Sequence, residues 1–282
     1  QLNSLAFIVR SEGDLRYAEC LLNESVSISE RINNIIGIAR SKQILGDVYQ
    51  TRGDYKKAMQ CYDSSLEIHK ARKFSSGIAY VKGEQSKIYL SQGKVNHSMD
   101  LIEQSLSISR QRGDKGAESY YLNIKGDIHE SRGEYDDAQY FYEQSLDCAR
   151  MTKTPLLEAE PLRLMGLISE TRGDIESAEN LFLGAQKIYL EVGNKEGEAK
   201  VLVDLGRLFD LRGLTEDAKA CYENSLKISE KCGFKAGQSD CLNNLGVLLF
   251  SQEKFLEAKE LFSKSLDIDW EIGNLLGESY SL

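Results

Sequence analysis

Catalysis and metal binding need a few side chains of the right type held close together, and the candidates in this chain are scattered. The three histidines, His69, His97 and His129, are too dispersed to suggest a metal site or a nucleophile–base–acid triad. No glycine-rich loop ending in Gly-Lys-Ser or Gly-Lys-Thr is present to cradle phosphates. Cys20, Cys61, Cys148, Cys221, Cys232 and Cys241 show no paired spacing and no Cys-x-x-Cys. They read as reduced thiols, Cys61 and Cys221 as small core residues, and a reduced, cytoplasmic setting is expected. The chain is therefore expected not to be an enzyme and to carry no cofactor and no metal. What remains is the chemistry of binding.

Charge narrows the partners. The chain carries 35 Lys and Arg against 44 Asp and Glu, a net charge of −9. A nucleic-acid binder needs a basic face to neutralise phosphates, and no such cluster exists. Nucleic acid and anionic membrane are excluded as partners on that ground. No run of about 18 apolar residues is long enough to span a bilayer, and the start, QLNSLAFIVRSEGD, lacks the basic opening of a signal peptide. The chain has no initiating Met and is expected to be a piece of a longer protein.

The elements that must position any site follow from a period of 40 residues. Glycine recurs at Gly13, Gly53, Gly93, Gly133, Gly173 and Gly213, with Glu253 the lapse. Small residues recur at Ala6, Gly46, Ser86, Gly126, Gly166, Gly206 and Gly246, and again at Ala18, Ala58, Ser98, Ala138, Ala178, Ala218 and Ala258. Large apolar residues stand at Leu22, Tyr62, Ile102, Tyr142, Phe182, Tyr222 and Phe262. Within one period, Ala58, Cys61, Tyr62, Ser65, Leu66 and Ile68 follow helical spacing along one face. Gly53 can end one helix in the left-handed conformation and Asp54 can cap the next. The small columns permit close approach of the paired helices. The spacing predicts about fifteen antiparallel helices, with short turns near the Gly53 column and longer turns near Asn33, Lys73, Gly113, Lys153, Gly193, Gly233 and Gly273. Pro155 suits a helix start, whereas Pro161 lies where a ring deletes a hydrogen bond. The fifth hairpin is expected to begin late, near Glu158, or to kink.

The run LGDVYQTRGDYKKAMQCYDSSL, with Leu45-Gly46, Tyr49, Gly53, Tyr55, Ala58, Tyr62 and Ser65-Leu66, resembles a tetratricopeptide (TPR) repeat. The likeness extends over the whole chain, residues 1–282, as a single array of seven hairpins and the start of an eighth. The period is longer than the common one of about 34 residues and is similar to that of kinesin light chains, spindle-orientation adaptors, peptide-sensing regulators and the sensor arms of signalling ATPases. The resemblance implies an all-α fold, a right-handed superhelical solenoid of antiparallel helix pairs, with a concave groove lined by the first helix of each pair.

That geometry places Gln43, Asp47, Tyr80, Lys87, Tyr120, Asn123, Asp127, Glu130, Glu160, Arg163, Glu170, Lys200, Arg207 and Asn243 on the groove face. The implied function is a protein- or peptide-binding scaffold. The alternative is a sensor or autoinhibitory arm of a larger signalling protein, a switch ATPase or a transcription regulator. Asp127, Glu130, Glu160 and Glu170, with Arg163 as the one nearby cation, admit two readings: a pocket for a basic peptide, or a solvated helix face on an acidic chain. Asn3, Asn123 and Asn243 share a column, and a side-chain amide offers a peptide backbone both a donor and an acceptor. Gln43, Gly83, Arg163 and Val203 interrupt that column. The carboxylate clamp of chaperone-binding TPR domains is not matched, since Leu167 stands where its asparagine would follow Arg163. Apolar residues at the ends, Leu5, Phe7 and Ile8 among them, lead to an expectation of end-to-end self-association.

Overall fold

The structure, a computed structural model, describes residues 1–11 and 15–272. Among these residues there are fourteen α-helices and no strand. In chain order they are α1 (Leu2–Ser11), α2 (Leu15–Arg31), α3 (Ile35–Thr51), α4 (Tyr55–Ala71), α5 (Ser75–Ser91), α6 (Val95–Arg112) and α7 (Lys115–Glu130), then α8 (Tyr135–Thr152), α9 (Leu156–Thr171), α10 (Ile175–Val192), α11 (Lys195–Leu211), α12 (Thr215–Cys232), α13 (Lys235–Ser251) and α14 (Phe255–Ile272). The expected turns at Gly13 and Gly273, and the fifteenth helix, lie outside the described residues.

Contacts divide the chain into two compact units, Gln1–Leu157 and Glu158–Leu282. In the first, α3 pairs with α4, α5 with α6 and α7 with α8, and the first helices α1, α3, α5 and α7 touch in succession. In the second, α11 pairs with α12 and α13 with α14, and α11 touches α13. Each unit thus buries its apolar faces between successive hairpins, as a repeat unable to bury its own core must.

The helix boundaries follow local chemistry. Asp54, Asp114 and Asp174 accept from the backbone N–H three residues on, as do Asn34 and Asn194, which closes the exposed amides of a helix start. Glu253, the lapse in the glycine column, still adopts φ 62°. The turn geometry therefore survives there, at a cost of about 1 kcal/mol in a residue with a Cβ.

One steric rule governs the pairing of helices. A Cβ placed on Gly46, Gly126, Gly166, Gly206 or Gly246 would meet the ring of Tyr62, Tyr142, Phe182, Tyr222 or Phe262 at 2.2–2.6 Å. Where the small position carries a side chain, the ring is absent: Ala6 is matched by Leu22 and Ser86 by Ile102, all fully buried. Ser86 also exchanges hydrogen bonds with Ser98, which replaces the usual alanine (Oγ–Oγ 2.8 Å). Two departures in one repeat answer each other.

A second tie crosses five of the hairpins. Ser65, Ser105, Ser145 and Ser225 donate to the backbone carbonyls of Ala39, Ala79, Ser119 and Ala199 at 2.7–2.8 Å, and Ser265 donates to Ser239 at 3.0 Å. Ala185 takes this position in α10 and is fully buried. The cysteines are free: Cys148 and Cys241 are buried, Cys61 and Cys221 half-buried and Cys20 exposed.

The start expected near Glu158 is corrected. Helix α9 begins at Leu156 and takes Pro161 inside it, at a buried position. There it removes the amide bond to the first turn and sets its ring against the carbonyl four residues back.

The steric rule makes a measurable claim. Gly126→Ala is expected to cost about 1–3 kcal/mol in urea unfolding, the usual cost of overpacking. The double change Gly126→Ala with Tyr142→Leu copies the Ala6–Leu22 pairing and should cost clearly less than the two single changes added. Additive costs would refute direct ring-to-backbone packing. Independently, Glu253→Gly should raise stability by about 1 kcal/mol by relieving the left-handed turn; an unchanged midpoint would count against strain there.

Candidate functional site

The inner-face residues expected from the sequence lie on first helices in both units. In the first unit, α3 carries Gln43 and Asp47, α5 carries Tyr80 and Lys87, and α7 carries Tyr120, Asn123, Asp127 and Glu130. Asp47, Tyr80, Lys87 and Tyr120 form one polar network. Asp47 is buried and accepts from the hydroxyls of Tyr62 (2.8 Å) and Tyr80 (2.9 Å), with Arg10 at 3.5 Å. Glu84 accepts from Lys87 (3.0 Å) and from the Tyr120 hydroxyl. Tyr142 donates to both Asp127 and Glu130 at 2.9 Å. Gln43 meets the ring nitrogen of His69 at 3.3 Å instead.

The tyrosines at the ring position come from the second helices. Tyr62 and Tyr142 pass over Gly46 and Gly126 and reach the carboxylates of the first helix from behind. Burial, then the neighbouring carboxylates, push both phenols far up, so they stay protonated donors. Close packing thereby orients the acids of the inner face.

In the second unit, Glu160, Arg163, Glu170, Lys200 and Arg207 are brought together by α9 and α11. Arg163 bonds Glu160 (3.0 Å) and Asp204 (2.9 Å), and Arg207 bonds Glu170 (2.8 Å) and Asp204 (3.2 Å). Tyr189 donates to Glu160 at 2.7 Å, and Lys200 pairs with Glu196 at 2.7 Å. Burial alone would raise the Glu160 carboxyl, but Arg163 and Lys200 override it and hold it at about 2. All four acids expected to form a basic-peptide pocket, Asp127, Glu130, Glu160 and Glu170, thus already have partners within the chain. Asn243 lies on α13, with its Oδ1 buried and without a hydrogen-bond partner among the described residues, and the same holds for Oδ1 of Asn123 in the first unit.

Two acids at the centre of these networks escaped the sequence reading. Glu84 and Asp204 are both buried and occupy a column filled by Ile44, Ile124 and Leu164 in other repeats. A carboxylate in a column where Ile44, Ile124 and Leu164 are aliphatic, though Ser4 and Asn244 are polar, was the available signal. The structure also gathers His129, Glu134 and Asp137 at the α7–α8 turn, with His129 Nδ1 2.6 Å from Glu134 and 3.9 Å from Asp137. The acids stand at the start of α8, where the helix dipole favours negative charge, and the His129 ring stacks on Phe141.

Two family models, both described as tetratricopeptide repeat, match the sequence. One covers residues 157–231 and 211–269, the other residues 39–71. This chain belongs to the tetratricopeptide repeat family. No curated protein matches the TPR array in sequence. Among solved structures it is similar to the Rap conjugation gene regulator of the plasmid pLS20 in complex with the Phr peptide (12% identity, TM-score 0.78, 96% of this chain and 73% of that one). It is also similar to the apo form of RapI (14%, 0.70, 96% and 97%). A signal transduction ATPase with a tetratricopeptide repeat sensor from Pyrococcus horikoshii matches at 14% and 0.60, over 94% of this chain and 43% of that one. At these identities the likeness is one of fold. No helix among the described residues is long and apolar enough to cross a membrane.

Within the TPR array, Asp47 bears a cost. Burial raises its carboxyl to about 6, the Glu84 charge adding to the rise and Arg10 opposing it. A carboxyl raised above its unfolded value of about 3.9 binds more protons folded than unfolded between the two values. Its contribution therefore favours folding below that window and is lost as pH rises through about 6. Asp47→Asn should gain stability relative to the parent by about 2 kcal/mol on going from about pH 4 to about pH 7.5. Denaturation curves that stay parallel across this range would refute the assignment.

Proposed function

We propose that the TPR array is a binding scaffold that holds an extended segment of another protein against the inner faces of its first helices. The observation that carries this reading is an amide on a first helix of each unit, Asn123 in the first and Asn243 in the second, whose buried Oδ1 has no hydrogen-bond partner among the described residues. A buried acceptor left unpaired costs about 1–3 kcal/mol, and folded proteins leave few of them. An extended peptide brings a row of backbone N–H and C=O groups that pair with such amides whatever its sequence. The third member of the column, Asn3, is already used, accepting from Ser41 at 3.0 Å.

A binding role also fits the state of the acids. Those best placed for proton transfer are held by tyrosine hydroxyls or guanidinium groups, which supports a scaffold that performs no catalytic step. The free cysteines support a reducing, cytoplasmic setting. The Rap regulator similar in fold is described as a complex with a peptide, which agrees with this reading. The second reading, a sensor arm of a larger signalling protein, is favoured by the likeness to the signal transduction ATPase, of which an array like this one makes up less than half.

Selection of a random peptide library displayed on phage tests the scaffold reading. The TPR array is expected to enrich a family of peptides, and Asn123→Ala with Asn243→Ala should weaken the enriched peptides by about tenfold or more, one lost hydrogen bond being worth about 1 kcal/mol. Failure to enrich any peptide, or full affinity in the double variant, would sink it.

A further inference from the structure

Most charges on the inner face of the second unit are paired, and among the described residues Asp210 and Asp240 are acids without a side-chain hydrogen bond or ion pair, of which Asp240 lines a cavity. A cavity of about 280 Å³ opens there between α9, α11 and α13, with Arg163, Lys200, Asp204, Arg207, Phe234 and Asp240 in its wall. Arg163 and Arg207 are neutralised by Glu160, Glu170 and Asp204, and Lys200 by Glu196. The Lys200 ammonium also lies 5.2 Å from the centre of the Phe234 ring. Asp240 has no side-chain hydrogen bond and no ion pair among the described residues, and it is exposed to the cavity.

The repeat supplies its own comparison. Asp240 shares a column with Tyr80, Tyr120, Glu160 and Lys200. Tyr80 donates to Asp47, Tyr120 to Glu84, Glu160 is held by Arg163 and Lys200 by Glu196. Of the two acids in that column, Glu160 and Asp240, it is Asp240 that has no side-chain hydrogen bond or ion pair among the described residues. Its surroundings are negative as well: the three cations of the cluster face six carboxylates, those of Glu160, Glu170, Glu196, Asp204, Asp240 and Asp269. Desolvation, then the charges of Asp269 and Asp204, raise the Asp240 carboxyl to about 6, against the pull of Arg207 and Lys200. An anion in that position gains when a cation arrives, because the cation offsets both neighbouring charges and lost hydration.

We infer that the cavity beside Asp240 receives a lysine or arginine side chain of the bound peptide, with the Asp240 carboxylate as its counter-ion. This rests on the scaffold reading above and adds a specificity to it. Leu167 and Val203 in the cavity wall give the aliphatic stem of such a side chain an apolar surface, while its head reaches the carboxylate. The cation preference therefore sits at α13, and not with the paired acids of α7 and α9.

Parallel phage selections on the parent and on Asp240→Asn separate this inference from the reading beneath it. The parent should enrich peptides with Lys or Arg at one fixed position, and Asp240→Asn should still enrich peptides but without that preference. For a peptide enriched on the parent, replacing the basic residue by Gln should weaken binding to the parent about tenfold or more and to Asp240→Asn less than about threefold. Peptides with no basic position, or a basic preference that survives in Asp240→Asn, would overturn the assignment while leaving the scaffold intact. If neither protein enriches peptides, both readings fall. Asp240→Glu, which keeps the charge, should retain the preference; its loss there would also count against the counter-ion role.

Discussion

The contact between a glycine backbone on the first helix and an aromatic ring on the second is the constraint on which each hairpin depends. Rings this large lie against the first helix only if the facing residue has no side chain, and five of the seven repeats solve the problem with glycine. The other two solve it from the opposite side, shrinking the ring to Leu22 or Ile102 so that Ala6 or Ser86 fits. Interiors pack near the density of organic crystals, so volume added on one side must be removed on the other. The pairing is a volume rule rather than a preference for any one residue.

The same contact carries polarity through the hairpin. A tyrosine seated over glycine brings its hydroxyl to the far side of the first helix, where it meets Asp47 and Gln50 or Asp127 and Glu130. Where the ring is phenylalanine, as at Phe182 and Phe262, no such donor exists. The acids of the second unit are held instead by Arg163 and Arg207. Phenols from Tyr62, Tyr80, Tyr120 and Tyr142 serve the carboxylates of the first unit, whereas in the second the phenol of Tyr189 is joined by two guanidinium groups. Buried carboxylates are tolerated in both because each finds donors that replace water.

Function on such a scaffold resides in what the packing leaves unsatisfied. Most inner-face groups bond one another and are fixed in place. The amides of Asn123 and Asn243 and the carboxylate of Asp240 retain bonding capacity, and each stands on a helix already locked by its neighbours. A rigid backbone bearing a few unsatisfied polar groups loses little entropy when a partner takes them up.

The sequence by itself determined the helices, their turns and the hairpin pairing. A strict period of 40 residues with small, apolar and glycine columns leaves no other way to bury the apolar faces. The resemblance to the repeat family, carried by that pattern, placed Asp47, Tyr80, Lys87 and Tyr120 on the inner faces of the first helices. Which of those groups bond each other was decided only by the tertiary structure. Glu84 and Asp204 link residues more than thirty positions apart, and a one-dimensional pattern does not specify distances between helices. The acids Asp127, Glu130, Glu160 and Glu170 look alike in the sequence as a negative patch, yet each is matched by a donor. Asp240 looks like one more acid of an acidic chain, yet it faces the cavity of α9, α11 and α13 with no side-chain hydrogen bond or ion pair among the described residues. Charge is legible residue by residue, whereas its neutralisation depends on where folding places the partner.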